Sequence, residues 1–253
     1  MSLRAVIFDV DGTIADTERF GHLVAFNLAF QRLGLPYRWS HEEYTGLLET
    51  PGGEQRLYRY LTAQGVAVDE AAPLARNLQR LKQEFFLDLM RQGAAPLRAG
   101  IDRLLDELAG AGVQVGVATT GGRIWVHELL TTLLGAERAG RFEAVVTGED
   151  VAARKPDPEA YLIALDRLGC ASVSGVAIED SEVGVAAAKG AGLACLAVRN
   201  GFTLGHDFRL ADLVVEDIGG PGVPATVVTN PHGIEVEPVV GVSTLRRLRA
   251  AVP

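Results

Sequence analysis

The chain has 253 residues, with 24 Lys and Arg against 32 Asp and Glu, a formal net charge of −8. Hydrophobic residues make up 48% and charged residues 22%, which excludes a disordered chain, a collagen and a coiled coil. The acidic balance excludes a general electrostatic footprint for nucleic acid or anionic lipid, and no run reaches the ~18 apolar residues of a membrane span.

The first element is a buried strand, Ala5-Val6-Ile7-Phe8, which stops at Asp9-Val10-Asp11-Gly12-Thr13. Phe20, Leu23, Val24, Phe26, Leu28, Phe30 and Leu33 then predict a helix from about Glu18, closed by Gly34 and Pro36. Residues 37–94 contain no convincing strand. Ser40 with Glu43 is a capping-box signature, and Leu57, Tyr60 and Leu61 mark another helix. Leu74, Leu78, Leu81, Phe85 and Leu89 predict the apolar stripe of a long one. This block reads as a helical bundle inserted after the first strand.

Beyond Pro96 helices and strands alternate. Helices are expected at 101–108, 124–134, 158–168 and 183–190, and strands at 113–118, 144–147, 176–178, 193–198 and 213–215. Asp157 is the expected N-cap of the 158–168 helix. The alternation predicts an α/β fold, a Rossmann-like parallel sheet covered on both faces. The tail reads as a hairpin over 226–237 with its turn at Asn230-Pro231-His232-Gly233, then a short helix to Leu248 capped by Ser243. The hairpin is expected either to extend the sheet edge or to serve as a dimer contact, so the chain is a monomer or homodimer. Met1 to Val10 is too short for a signal peptide. Cys170 and Cys195 sit in apolar context and read as buried thiols. A cytoplasmic protein is the expectation.

Four groups fall just past predicted strands, where open parallel sheets bind ligands. They are Asp9 with Asp11, Thr119 with Thr120, Lys155, and Glu179 with Asp180. Each alone has an ordinary reading: an Asx-turn, a helix cap, a solvated lysine, or charge complementing a helix dipole. Together they place acids, a lysine and hydroxyls on one edge. Clustered acids repel, so their assembly implies a cation.

This ordered set resembles the four motifs of the haloacid dehalogenase superfamily of phosphatases and phosphomutases, over residues 1 to about 217. The inserted block resembles that superfamily's small helical cap. Asp16-Thr17-Glu18, Gly21-His22, Phe26-Asn27 and Pro51-Gly52-Gly53 resemble the CbbY-like branch, which includes enzymes that clear xylulose-1,5-bisphosphate. The resemblance implies a core at 1–16 and 95–253, with a tail extension at about 222–253, and a cap at 17–94. It implies Asp9 as nucleophile and Asp11 as general acid and base. It implies Mg²⁺ held by the Asp9 carboxylate, the Asp11 carbonyl and Asp180, with Glu179 orienting Asp180 or holding metal-bound water. Thr119, the Thr120 N–H and Lys155 are the implied phosphate contacts. With a dianionic phosphate and Lys155, the acids leave about −4, which Mg²⁺ reduces to about −2. A raised carboxylate pKa is expected, most usefully at Asp11. Dehalogenation needs an aspartate but no divalent metal, so Asp11, Glu179 and Asp180 point to phosphoryl transfer.

The cap is expected to close over the site and exclude water. Glu18, His22, Gly52, Gly53, Arg56 and Arg123 are the expected contacts to the sugar or a second phosphate. Each also has a plain reading as helix charge, helix-start loop or solvated arginine. Glu54 departs from the branch, which often carries lysine after the paired glycines, and this weakens the positive charge for a bisphosphate. The expected partner is a small phosphorylated metabolite, with no nucleic acid and no membrane. A β-phosphoglucomutase-like phosphomutase and a phosphoglycolate phosphatase are the alternative activities.

Overall fold

In a computed structural model that describes residues 2–220 and 222–252, the apolar run Ala5–Phe8 forms strand β1, buried at every position. It lies inside a sheet with β2 (Gln114–Ala118), β3 (Phe142–Val146), β4 (Gly175–Glu179), β5 (Ala194–Val198), β6 (Leu213–Val215) and β7 (Val227–Thr229). The strand order is β3-β2-β1-β4-β5-β6-β7. All pairs are parallel except β6 with β7. Strands buried on both faces read as continuous apolar runs, which is why β1, β4 and β5 show no alternation. Chain order reverses between β1 and β4, the place where sheets of this order open a crevice at the carboxyl ends of the strands.

The chain divides into two compact units. One ends at Asp16 and resumes at Leu97; the other is Thr17–Pro96. In the first, α5 (Ile101–Gly110), α6 (Arg123–Ala139), α7 (Glu159–Arg167), α8 (Glu182–Gly190) and α9 (Val242–Ala251) accompany the sheet. Ile7, Val146, Tyr161, Ala177, Val185 and Cys195 belong to one buried cluster of this unit. In the second, a π-helical turn, Glu18–His22, runs into α1 (Leu23–Arg32), followed by α2 (His41–Leu47), α3 (Gly53–Ala63) and α4 (Val68–Arg91). Ser40 and Glu43 form the reciprocal capping box at α2. Among the described residues, no helix is long and apolar enough to cross a membrane.

Four local expectations are corrected. The buried stripe of α4 runs through Leu78, Leu81, Lys82, Phe86 and Met90, so Phe85 and Leu89 sit on its shoulder. Helix α7 begins at Glu159 behind Pro158, and Asp157 accepts the Glu159 N–H at 2.9 Å from one residue before the cap position. The 226–237 hairpin does not form: Val227–Thr229 pairs with β6, while 234–237 carries no strand. The Asn230 side chain folds back on the Ile234 backbone at 2.7 and 2.8 Å, which directs the chain out of the turn away from a ladder. Ser243 lies inside α9, whose N-cap is Gly241; the Val242 N–H is met at 3.2 Å by Glu107.

Candidate active site

Asp9 is the first residue past β1, and its N–H donates to the Ile178 carbonyl of β4 at 2.9 Å. The chain then turns sharply: the N–H groups of Thr13, Ile14 and Ala15 meet the Val10 carbonyl at 3.3, 3.0 and 3.3 Å. Gly12 takes φ +76°, and a Cβ there would overlap the Asp180 carboxylate, so glycine is needed for both conformation and space. The turn keeps Asp11 close enough for its charge to act on Asp9. Phe8 stands opposite both Val117 and Ile178, so Asp9, Thr119 and Glu179-Asp180 leave the sheet at one edge.

Lys155 is brought to the same edge. Its ammonium donates to Asp9 Oδ1 at 2.7 Å and to Glu179 Oε1 at 2.5 Å. The Tyr161 hydroxyl of α7 donates to that same glutamate oxygen at 2.6 Å, and the ammonium lies 5.1 Å from the Tyr161 ring centre. Glu179 Oε2 accepts from the Asp180 N–H at 3.2 Å and the Ser181 hydroxyl at 3.4 Å. Both oxygens of this fully buried carboxylate therefore have protein donors. Asp180 Oδ2 accepts from Asn200 at 2.6 Å.

Burial drives the Asp9 pKa up to about 8; Lys155 opposes the rise, while Glu179 and Asp11 add to it. Burial, then Asp9 and Glu179, raise Asp180 well above the carboxylate range. Asp9 and Asp180 are thus raised carboxyls of the site. For Lys155, burial favours the neutral amine, but Asp9 and Glu179 outweigh it and hold the ammonium charged.

Carboxylate oxygens of Asp9, Glu179 and Asp180 all lie within 4.8 Å of one another, and all three residues are buried. Three carboxyl groups share one ammonium in a buried site; burial first, and then their mutual repulsion, raises Asp9 and Asp180. Hard oxygen donors with unbalanced charge fit a cation such as Mg²⁺.

Thr119 is buried, its N–H bound to Val146 at 3.0 Å and its hydroxyl accepting the Gly121 N–H at 3.0 Å. Thr120 is exposed beside it. The Arg123 guanidinium pairs with Asp150 at 3.0 Å and Glu149 at 3.5 Å.

In the 17–96 unit, the Tyr44 hydroxyl donates to Glu18 at 2.7 Å. Arg56 is buried over the Tyr44 and Phe26 rings, at 5.5 and 6.0 Å, and donates to the Leu47 carbonyl at 3.0 Å. Lys82 is buried 5.2 Å from the Phe26 centre and 4.4 Å from that of Phe86. Its ammonium meets His22 Nδ1 at 2.6 Å, and the His22 ring stacks on Phe86 at 4.0 Å. Gly21 permits this approach, since a Cβ there would stand 2.6 Å from the Phe86 ring. Glu18, His22 and Arg56 thus share one cluster around Phe26. Gly52, at φ +81°, starts α3, and Gly53 abuts the Gln79 side chain.

No sequence motif points to Tyr161, Asn200, Tyr44 or Lys82. For Lys82 a signal existed: it falls four residues from Leu78 and from Phe86, a charge on an apolar stripe. The others look like ordinary core or loop residues until the fold assembles.

The family model for haloacid dehalogenase-like hydrolases matches residues 6–198. Protein CbbY of Cereibacter sphaeroides is 39% identical over 222 residues, covering 86% of this chain and 95% of that protein. The CbbY-like protein of Arabidopsis thaliana is 36% identical over 223 residues, covering 86% of this chain and 70% of its own. A solved mutant CbbY from Rhodobacter sphaeroides, in complex with xylulose-(1,5)bisphosphate, is 37% identical with a TM-score of 0.74, covering 87% of this chain and 98% of that one.

Proposed function

The chain belongs to the haloacid dehalogenase-like hydrolase family, in its CbbY-like branch, and from that premise we propose a Mg²⁺-dependent phosphatase of a small sugar phosphate. Xylulose-1,5-bisphosphate, the ligand of the similar CbbY complex, is the favoured substrate. The observation that carries the reading is the buried group at the strand ends: Asp9 held by Lys155, with Glu179 and Asp180 beside it. Phosphoryl transfer depends mainly on positioning and charge compensation, which this group is built to give.

In this reading Asp9, the Asp11 carbonyl and Asp180 hold the cation, and Glu179, spent on Lys155 and Tyr161, stands behind them. When bound, Mg²⁺ supplies positive charge that offsets the acids and the phosphate. Asp9 attacks phosphorus, the bond from phosphorus to the sugar oxygen breaks, and an aspartyl-phosphate forms. Asp11 gives its proton to the departing oxygen. It then takes a proton from the water that cleaves the aspartyl-phosphate, releasing inorganic phosphate and restoring Asp9. Lys155, Thr119 and the Thr120 N–H neutralise and hold the phosphoryl oxygens. Glu18, His22, Gly52, Gly53 and Arg56, joined by Tyr44 and Lys82, are assigned to recognition of the rest of the substrate. We place the protein in the cytoplasm, where its buried free thiols, Cys170 and Cys195, stay reduced.

A panel of phosphorylated metabolites at fixed Mg²⁺ tests the reading. Phosphate release with a marked preference for one sugar bisphosphate is expected; an isomerised product that requires a bisphosphate activator would turn it into a mutase. Asp9→Asn should lose at least ~10⁴-fold in kcat while staying folded. Turnover left intact in that variant would sink the mechanism.

A further inference from the structure

The loop after β5 carries a residue no motif assigns. Asn200 Nδ2 donates to Asp180 Oδ2 at 2.6 Å and reaches within 3.5 Å of the Gly12 carbonyl. The side chain is pinned from its other end, because Asn200 Oδ1 accepts the Phe202 N–H at 2.8 Å. That donor fixes which way round the amide lies: oxygen to the backbone N–H, nitrogen to the carboxylate. The loop is itself closed. The Asn200 N–H donates to Thr203 Oγ1 at 3.0 Å, the Thr203 N–H to the Asn200 carbonyl at 3.1 Å, and Phe202 and Thr203 are buried. Gly12 leaves the space in which the amide and carboxylate meet, since a Cβ there would lie 2.6 Å from Asn200 Nδ2 and overlap Asp180 Oδ2.

We propose that Asn200 is a positioning residue for metal binding: its amide occupies one oxygen of Asp180 and turns the other toward the cation. The inference rests on the assignment of Asp180 as a metal ligand. A carboxylate without such a partner rotates freely and must lose that freedom when the ion arrives; one already held does not. The donor is neutral, so it orients Asp180 without cancelling the charge that attracts the ion. Lys155, by contrast, holds Asp9 and Glu179 with a charge of its own. The strand beside β4 thereby contributes to the site: β5 carries the loop that orients the residue following β4.

Asn200→Ser tests this. Serine can still accept the Phe202 N–H in an equivalent turn but is too short to reach Asp180. Isothermal titration of the metal-stripped protein with Mg²⁺ should show roughly tenfold weaker binding. Its melting temperature in EDTA should stay within a few degrees of the parent's. Thr203→Val is the control: it removes the loop's own hydrogen bond and leaves the amide on Asp180, so it should lower the melting temperature and leave Mg²⁺ affinity within twofold. Equal affinity in Asn200→Ser and the parent overturns the proposal. So does an equal loss of affinity in Thr203→Val, which would make the effect one of loop stability. Should Asn200→Ser not fold, Asn200→Ala is read by the same two measurements. A parent that binds no Mg²⁺ would instead overturn the metal assignment itself, so the two failures are distinguishable.

Discussion

At the ends of β1 and β4, Asp9, Glu179 and Asp180 are buried around a single ammonium, so negative charge is in surplus. In the 17–96 unit the buried charges are Lys82 and Arg56, laid over Phe26, Tyr44 and Phe86. One region accumulates anions and strains their ionisation; the other accumulates cations and shelters them on aromatic faces. A surplus of carboxylate is the mark of a site completed by a cation. Buried ammonium and guanidinium groups laid on aromatic faces are of the kind that receive an anion, such as a phosphate. On charge alone the first region suits a cation, and the second an anion.

Metal removal attacks the first region alone and should have the largest effect. In EDTA, phosphatase activity is expected to vanish and to return with Mg²⁺; full activity in excess chelator would break the contrast. A pH signature accompanies it. The Asp9 carboxyl, at about 8 in the folded chain against an ordinary 3.8, makes the folded state bind more protons than the unfolded one between those values. Metal-free stability should therefore fall as pH rises through that window, and saturating Mg²⁺ should flatten the decline. Melting curves in EDTA from pH 4 to about 8 check the sign. A rise would mean that Asp9 is not strained.

Lys82→Met probes the second region. It keeps the bulk against Phe26 and Phe86 but removes the charge. KM for a sugar bisphosphate should rise ~10- to 100-fold, the worth of a lost charge-assisted contact, with kcat little changed. An equal drop in kcat with unaltered KM would place Lys82 among the reacting groups and erase the distinction. The smallest effect is expected for Tyr161→Phe, which deletes one donor to Glu179 and keeps the ring beneath Lys155. Stability should drop by about 1–2 kcal/mol and kcat a few-fold, read by thermal melting and steady-state rates. No change in either would mean that Lys155 and the backbone suffice to hold Glu179.

The sheet was legible because β1, β4 and β5 are short apolar runs closed by turn residues, and an unbroken run of that length reports a strand buried on both faces. The failures were of another kind. The tail reads as a hairpin from its turn residues, yet Val227–Thr229 pairs with β6, a choice no local pattern encodes. On α4, Phe85 and Leu89 fit the helical period as well as Phe86 and Met90 do. A stripe has two shoulders, and only the neighbour it packs against selects between them. Gly21 admits Phe86, and so settles which shoulder is buried.

The sequence by itself determined the α/β alternation, the inserted helical block, and the places of Asp9, Thr119 and Asp180 directly after β1, β2 and β4, with Glu179 closing β4 and Lys155 in the loop before α7. Such residues announce themselves locally, because a charge next to an apolar run is anomalous wherever the chain goes. Only the tertiary structure decided that Tyr161 backs Glu179, that Asn200 holds Asp180, and that Lys82 lies buried against His22. These are contacts between residues 18, 20 and 60 positions apart. Their chemistry comes from distance and burial, which no one segment carries alone.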